Sequence, residues 1–145
     1  MDSTSAATAS AVTFVWLGMV LGVSFLEAPL KFRAPGVTIP VGLGIGRLVF
    51  RALNLVEAAA AAVVVVAVAA GGAPAPVIAL TAAVAVLLLV QLLLVRPRLN
   101  RRSDRVLSGE EPVDGPRSHD HLVYVALEIV KVAALIALGI MLLTA

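Results

Sequence analysis

The sequence predicts an all-α integral membrane protein, a four-helix bundle with both termini on the non-cytoplasmic side. Three observations carry that expectation. Of 145 residues, 61% are hydrophobic and 14% charged, whereas a water-soluble domain carries about a quarter charged residues. Four apolar runs reach the roughly 20 residues that a helix needs to cross a bilayer core. Among the connecting segments, Lys and Arg fall in only two. Mean hydropathy is +1.06, and no stretch alternates with period two, so a barrel is not expected.

The chain reads as one domain, residues 1–145, with spans at about 11–31, 47–70, 76–96 and 121–144. The leading MDSTSAATAS holds no Lys or Arg. It therefore lacks the basic region of a cleaved leader, and the first run is expected to be retained as a span. The second run contains AAAAAVVVVAVAA, whose small side chains favour close helix approach. GGAPAP, residues 71–76, predicts a tight hairpin, because Gly and Pro both punctuate helices. The chain has no cysteine, which excludes disulfides and thiolate chemistry.

The connecting segments set the expected direction. Lys31, Arg33 and Arg47 lie between spans one and two, and Arg96, Arg98, Arg101, Arg102, Arg105 and Arg117 between spans three and four. Basic residues accumulate on the cytoplasmic side, so both basic loops are expected inside, in a bacterial-type cytoplasmic membrane. Residues 34–46 are apolar and uncharged, suited to lying in the interface or dipping inward. Residues 97–120 read as a basic cytoplasmic loop, with Arg96, Arg98, Arg101, Arg102 and Arg105 meeting anionic lipid heads. No aromatic residue is interleaved with these arginines, so nucleic acid is not an expected partner.

The apolar runs are not purely apolar. Glu27 and Lys31 close span one, Arg51, Asn54 and Glu57 lie on span two, and His121, Tyr124, Glu128 and Lys131 lie on span four. At about 100° per residue, each set falls on one stripe, with Thr13 and Ser24 joining Glu27 and Lys31. At 1.5 Å per residue, Glu57 and Lys131 each lie about 15 Å into their spans and can meet near the midplane. Span three contributes only Thr81 and Gln91, and reads as a packing or lipid-facing helix. The expected pairs are Glu27–Lys31, Glu57–Lys131 and Glu128–Arg51. Arg47 is expected to snorkel to lipid phosphate.

Inserting Glu, Lys or Arg into a bilayer costs about 2.5–3.5 kcal/mol each. A polar helix–helix contact returns about 0.6 kcal/mol on average. That imbalance favours a functional role for the set. Glu27, Glu57 and Glu128 are the candidate acids, Arg51 and Lys131 the counter-charges, and His121 and Tyr124 a gate, with Lys31 and Asn54 beside them. Glu27, Glu57, Glu128 and His121 carry donors that a metal accepts. No Glu-x-x-His motif is present, however, and four nearby cations oppose a metal, so none is expected. No cofactor is specified.

Pro29 either frees the carbonyl of Phe25 or marks the helix end. Ser118 or Asp120 is a plausible N-cap for span four. Gly18-x-x-x-Gly22 and Gly42-x-x-x-Gly46 read as small faces for helix contact.

GMVLGVSFLEAPLKF, then GRLVFRALNLVE, a basic loop and a last span opening SHDHLVYVALE together resemble the transmembrane protein 205 family of small four-span proteins. That resemblance implies a membrane-embedded helical bundle with a suggested link to metal-drug resistance. A weaker similarity runs to four-span proteins related to anthrone oxygenases, which implies chemistry on a lipophilic phenol.

Three functional expectations follow. The first is a cytoplasm-facing charged cluster that binds a small anionic or amphipathic ligand or relays protons. The second is a membrane enzyme acting on a quinone-like or phenolic substrate. The third is a structural accessory subunit of a larger membrane complex. At this size, transport requires a homo-oligomer or a membrane-protein partner.

Overall fold

A computed structural model describes residues 1–110 and 119–145. Among them the fold is all-helical, with four helices long and apolar enough to cross a membrane, the signature of an integral membrane protein. They are α1 (Ser3–Arg33), α2 (Ile39–Ala70), α3 (Ala75–Leu107) and α4 (His119–Leu143). They run up and down in a square: α1 packs on α2 and α4, and α3 packs on the same two. Only 22–33% of each helix's most apolar stretch is buried. Large apolar side chains such as Leu48, Leu55, Leu93 and Leu143 instead face outward, as a lipid-facing surface requires.

The helices run longer than the expected spans. α1 starts at Ser3 because Asp2 caps it, accepting from the Ser5 N–H at 2.8 Å. That bond holds the Asp2 carboxyl below the usual carboxylate range. The Asp2 N–H in turn donates to the Gly71 carbonyl at 3.0 Å, docking the chain start on the α2–α3 hairpin. The hairpin is as tight as GGAPAP implies, and it turns through Gly72 at φ 68°, where a side chain would be strained. Residues 39–46 form the first turns of α2 rather than an interfacial loop. Thr38 caps them through the Val41 N–H at 3.3 Å.

Residues 97–107, expected in a loop, continue α3 as helix. Arg47 binds Asp104 on this extension, and Arg98 reaches Asp120 on α4 at 3.6 Å. Asp120 lies in the first turn of α4. Arg117 and Ser118 lie outside the described residues.

Two interruptions shape the bundle. Leu21–Glu27 in α1 and Gln91–Val95 in α3 are π-helical. Each ends two residues before a proline, Pro29 or Pro97. Proline has no N–H to offer the preceding turn, and the backbone adapts by widening. The Ala28 N–H reaches back to Val23 O, and the Arg96 N–H to Gln91 O. Pro29 therefore neither ends α1 nor leaves it as a regular helix.

The core is layered along the bundle axis. Ala9, Val64, Val68, Val77, Leu138 and Leu142 fill the hairpin end. Trp16, Val20, Ala60, Val84, Leu88 and Leu135 fill the middle. Phe50, Leu53, Val95 and Tyr124 fill the arginine-bearing end. Gly42 and Gly46 let the foot of α1 close on α2: a Cβ on Gly42 would meet the Phe32 ring, and one on Gly46 the Lys31 ammonium. Gly18 and Gly22 have open space where a Cβ would be, so that pair makes no such contact within the described residues.

Candidate functional site: a buried ionic centre between the helices

Between the middle layer and the arginine-end layer, all four helices send a polar side chain inward. The Lys131 ammonium is fully buried, and Glu57 and Glu128 are each 1% exposed. Lys131 Nζ lies 2.5 Å from Glu57 Oε1 and 2.5 Å from Glu128 Oε1. It also donates to Gln91 Oε1 at 2.8 Å. The ammonium thus donates hydrogen bonds to Glu57 and Gln91, and Glu128 completes its surroundings as an ion pair. The expected Glu57–Lys131 pair thus forms, and Glu128 joins it from the same helix, one turn away.

The remaining contacts close the group. Gln91 Nε2 donates to Glu128 Oε1 at 2.9 Å, so the amide is oriented at both ends. Trp16 Nε1 donates to Glu57 Oε1 at 2.9 Å. Ser24 Oγ donates to Glu128 Oε2 at 2.5 Å. Ser24 and Gln91 sit in the two π-helical segments, so each widened turn supplies one hydrogen bond to Glu128. Isolated π turns often occur where a helix must aim a side chain off its regular face.

Toward the arginine-bearing end a second layer follows. Phe50 and Tyr124 meet edge to face, with centroids 6.0 Å apart and planes at 85°. The Arg96 guanidinium lies over both rings, 4.3 Å from the Phe50 centroid and 5.3 Å from that of Tyr124. Lys31 Nζ stands 5.9 Å from the Phe50 centroid and 3.7 Å from Glu27 Oε2, so the expected Glu27–Lys31 pair is also present. Glu27 Oε2 is buried without a hydrogen-bond donor.

Two expectations are corrected. The Glu128–Arg51 pair does not form, and Arg51 faces outward between Leu48 and Leu55, which are 72% and 69% exposed. The inward face of α2 runs Gly42, Gly46, Phe50, Leu53, Glu57. Arg51 is one residue past Phe50, about 100° around the helix, and the stripe drawn to include it was too wide. Arg96, expected among the arginines at the lipid heads, is instead half-buried over the two rings. Asn54 is half-buried outside the hydrogen-bonded group, and His121 is half-buried in the first turn of α4.

Sequence reasoning gave no site role to Gln91 or Trp16, and it counted Ser24 only as part of a stripe. Among the described residues no three His, Asp or Glu side chains stand together as a metal would require. Directly in contact, the centre holds two carboxylates and one ammonium. No protein-family model, curated protein or solved structure matches this chain.

Proposed function

We propose that this is a polytopic membrane protein whose Glu57–Lys131–Glu128 centre takes up and releases a proton. The observation that carries the reading is charge balance: two fully buried carboxylates share a single ammonium. An uncompensated charge is costly in a dry interior, and a proton is the smallest cation that can neutralise it. A small anionic ligand is disfavoured, because Lys131 is fully buried and already held by two carboxylates and the Gln91 carbonyl oxygen. The positive-inside bias assigns the arginine-bearing end to the cytoplasm, so protons would arrive past Glu27, Lys31 and Tyr124.

The wider setting belongs to the same proposal. Arg98, Arg101, Arg102 and Arg105 meet anionic lipid heads, and the chain works as a homo-oligomer or beside a membrane partner. From the resemblance to the transmembrane protein 205 family we carry over the four-span plan and no residue.

A second reading has one observation in its favour. The contacts that Lys131 makes with α2, α3 and its own helix also suit a scaffold that fixes helix register within a larger complex. Phenol or quinone chemistry has none, since Tyr124 is 7% exposed and packed against Phe50.

Infrared difference spectroscopy against pH, on purified protein in lipid, tests the proposal. A protonated-carboxyl band that titrates in wild type and disappears in Glu57→Gln and Glu128→Gln supports it. The absence of any titrating buried carboxyl leaves the scaffold reading.

A further inference from the structure

The proton reading leaves open what lies beyond the centre, toward the hairpin end. One edge of Trp16 donates to Glu57 Oε1 at 2.9 Å. The ring also walls a narrow cleft with Ala61, Val64, Thr81, Val84 and Leu138, which has no room for a water molecule. Trp16 thus stands as a plug between the ionic centre and the dry half of the bundle. Beyond it Thr81 and Thr13 carry buried hydroxyls. Thr81 Oγ1 donates only to the carbonyl of its own helix, Val77 O, at 2.8 Å. Thr13, fully buried one turn before Trp16 on the same face of α1, has no hydrogen-bond partner for its Oγ1. A buried hydroxyl without a partner is unfavourable and rare in a settled fold. Such a group one helical turn from the residue that binds Glu57 points to a second state in which it is satisfied.

Resting on the proton reading, we infer that Trp16 is the gate of a proton path that runs from Glu57 toward the hairpin end, with Thr13 and Thr81 holding water once the indole withdraws. Glu57 is contacted by Trp16 from α1 and by Lys131 from α4, which in turn holds Gln91 and Glu128, while Arg96 and Tyr124 act on it electrostatically from the arginine-bearing end. Of these, the indole alone also lines the cleft. Its withdrawal removes a donor from Glu57 and opens volume in one movement. The two hydroxyls then provide the polar partners that an inserted water needs.

The test is proton flux into proteoliposomes loaded with a pH-sensitive dye, driven by a potassium diffusion potential. Trp16→Ala should raise flux on the order of tenfold, because water can then enter the cleft and be held by Thr13 and Thr81. Trp16→Phe, which keeps most of the bulk, should stay near wild type. Trp16→Ala/Glu57→Gln and Trp16→Ala/Thr13→Val should both return toward baseline. Leu135→Ala, a cavity in the same layer that leaves the Trp16–Glu57 bond alone, should not leak. A folded Trp16→Ala protein as tight as wild type overturns the gate. So does a leak that survives Glu57→Gln or appears equally in Leu135→Ala. The infrared titration of wild type separates the two ideas: a titrating carboxyl with a tight Trp16→Ala rejects the gate alone, whereas no titration rejects the proton reading beneath it.

Discussion

Gln91 accepts from Lys131 at 2.8 Å through its carbonyl oxygen and passes its own amide to Glu128 at 2.9 Å. One neutral side chain on α3 therefore joins the ammonium to a carboxylate on α4, and both of its ends are committed. Replacing it by Leu strands a buried N–H on Lys131 and a lone pair on Glu128. The expected cost is about 1–3 kcal/mol, read as a lower midpoint in thermal unfolding of the detergent-solubilised protein. A Gln91→Leu variant with wild-type stability would remove Gln91 from the centre.

The three charges are not equivalent. Glu57→Gln leaves Glu128 and Lys131 as a balanced pair, whereas Lys131→Met leaves two buried carboxylates with no contacting cation. Breaking a buried pair by deleting one partner costs about 3–5 kcal/mol. Lys131→Met should therefore be the more damaging variant, and Lys131→Met/Glu57→Gln/Glu128→Gln should recover much of the loss. Equal damage from Glu57→Gln and Lys131→Met would contradict the charge count on which the proton reading stands.

Arginine position separates inside from outside. Arg96 caps the Phe50–Tyr124 pair, and a desolvated cation–π contact is worth about 2 kcal/mol. Arg96→Ala should lose about that much, while Arg51→Ala, on the outward face, should stay within about 0.5 kcal/mol of wild type. Chemical denaturation of both in one micelle system checks the contrast. The reverse order would return Arg51 to the place first expected of it.

Pro97 is expected to act through Gln91. Pro97→Ala restores an N–H to α3 and lets the π turn tighten to a regular helix. Tightening rotates Gln91 off Lys131. The loss in stability should resemble that of Gln91→Leu, and the double variant should be little worse than either single one. A fully additive double variant would mean that the proline and the glutamine act separately.

How much of this was legible can be judged residue by residue. Glu57 and Lys131 were matched by counting rise per residue from the arginine-bearing end, and hydrophobic length alone marked four helices. Gln91 was not legible, because a single amide in QLLLV makes no stripe and its partners lie 37 and 40 residues away. Trp16 scored as one more apolar residue, although its N–H was the polar part that mattered. The exchange of Arg51 for Arg96 had two causes. The inward face of α2 is narrower than the assumed arc, and α3 continues as helix past Arg96 through a widened turn that regular periodicity does not contain. Pro29 and Pro97 were the visible trace of those turns. The sequence marks where a proline disturbs a helix, but not whether the helix stops, kinks or widens.

The spacing of the ionic partners also bears on biosynthesis. Lys131 follows Glu57 by 74 residues, whereas Glu128 precedes Lys131 by three and is paired within its own helix. The last helix thus enters the bilayer carrying its own neutralising partner. The second helix has no such help when it leaves the translocation machinery, and only the Trp16 indole, 41 residues earlier, is already in place to receive Glu57. Until α4 is made, Glu57 lacks the ammonium that it contacts in the finished fold. A chain that stops before α4 would keep that charge unmet, a defect by which membrane quality control could tell an incomplete product from a finished one.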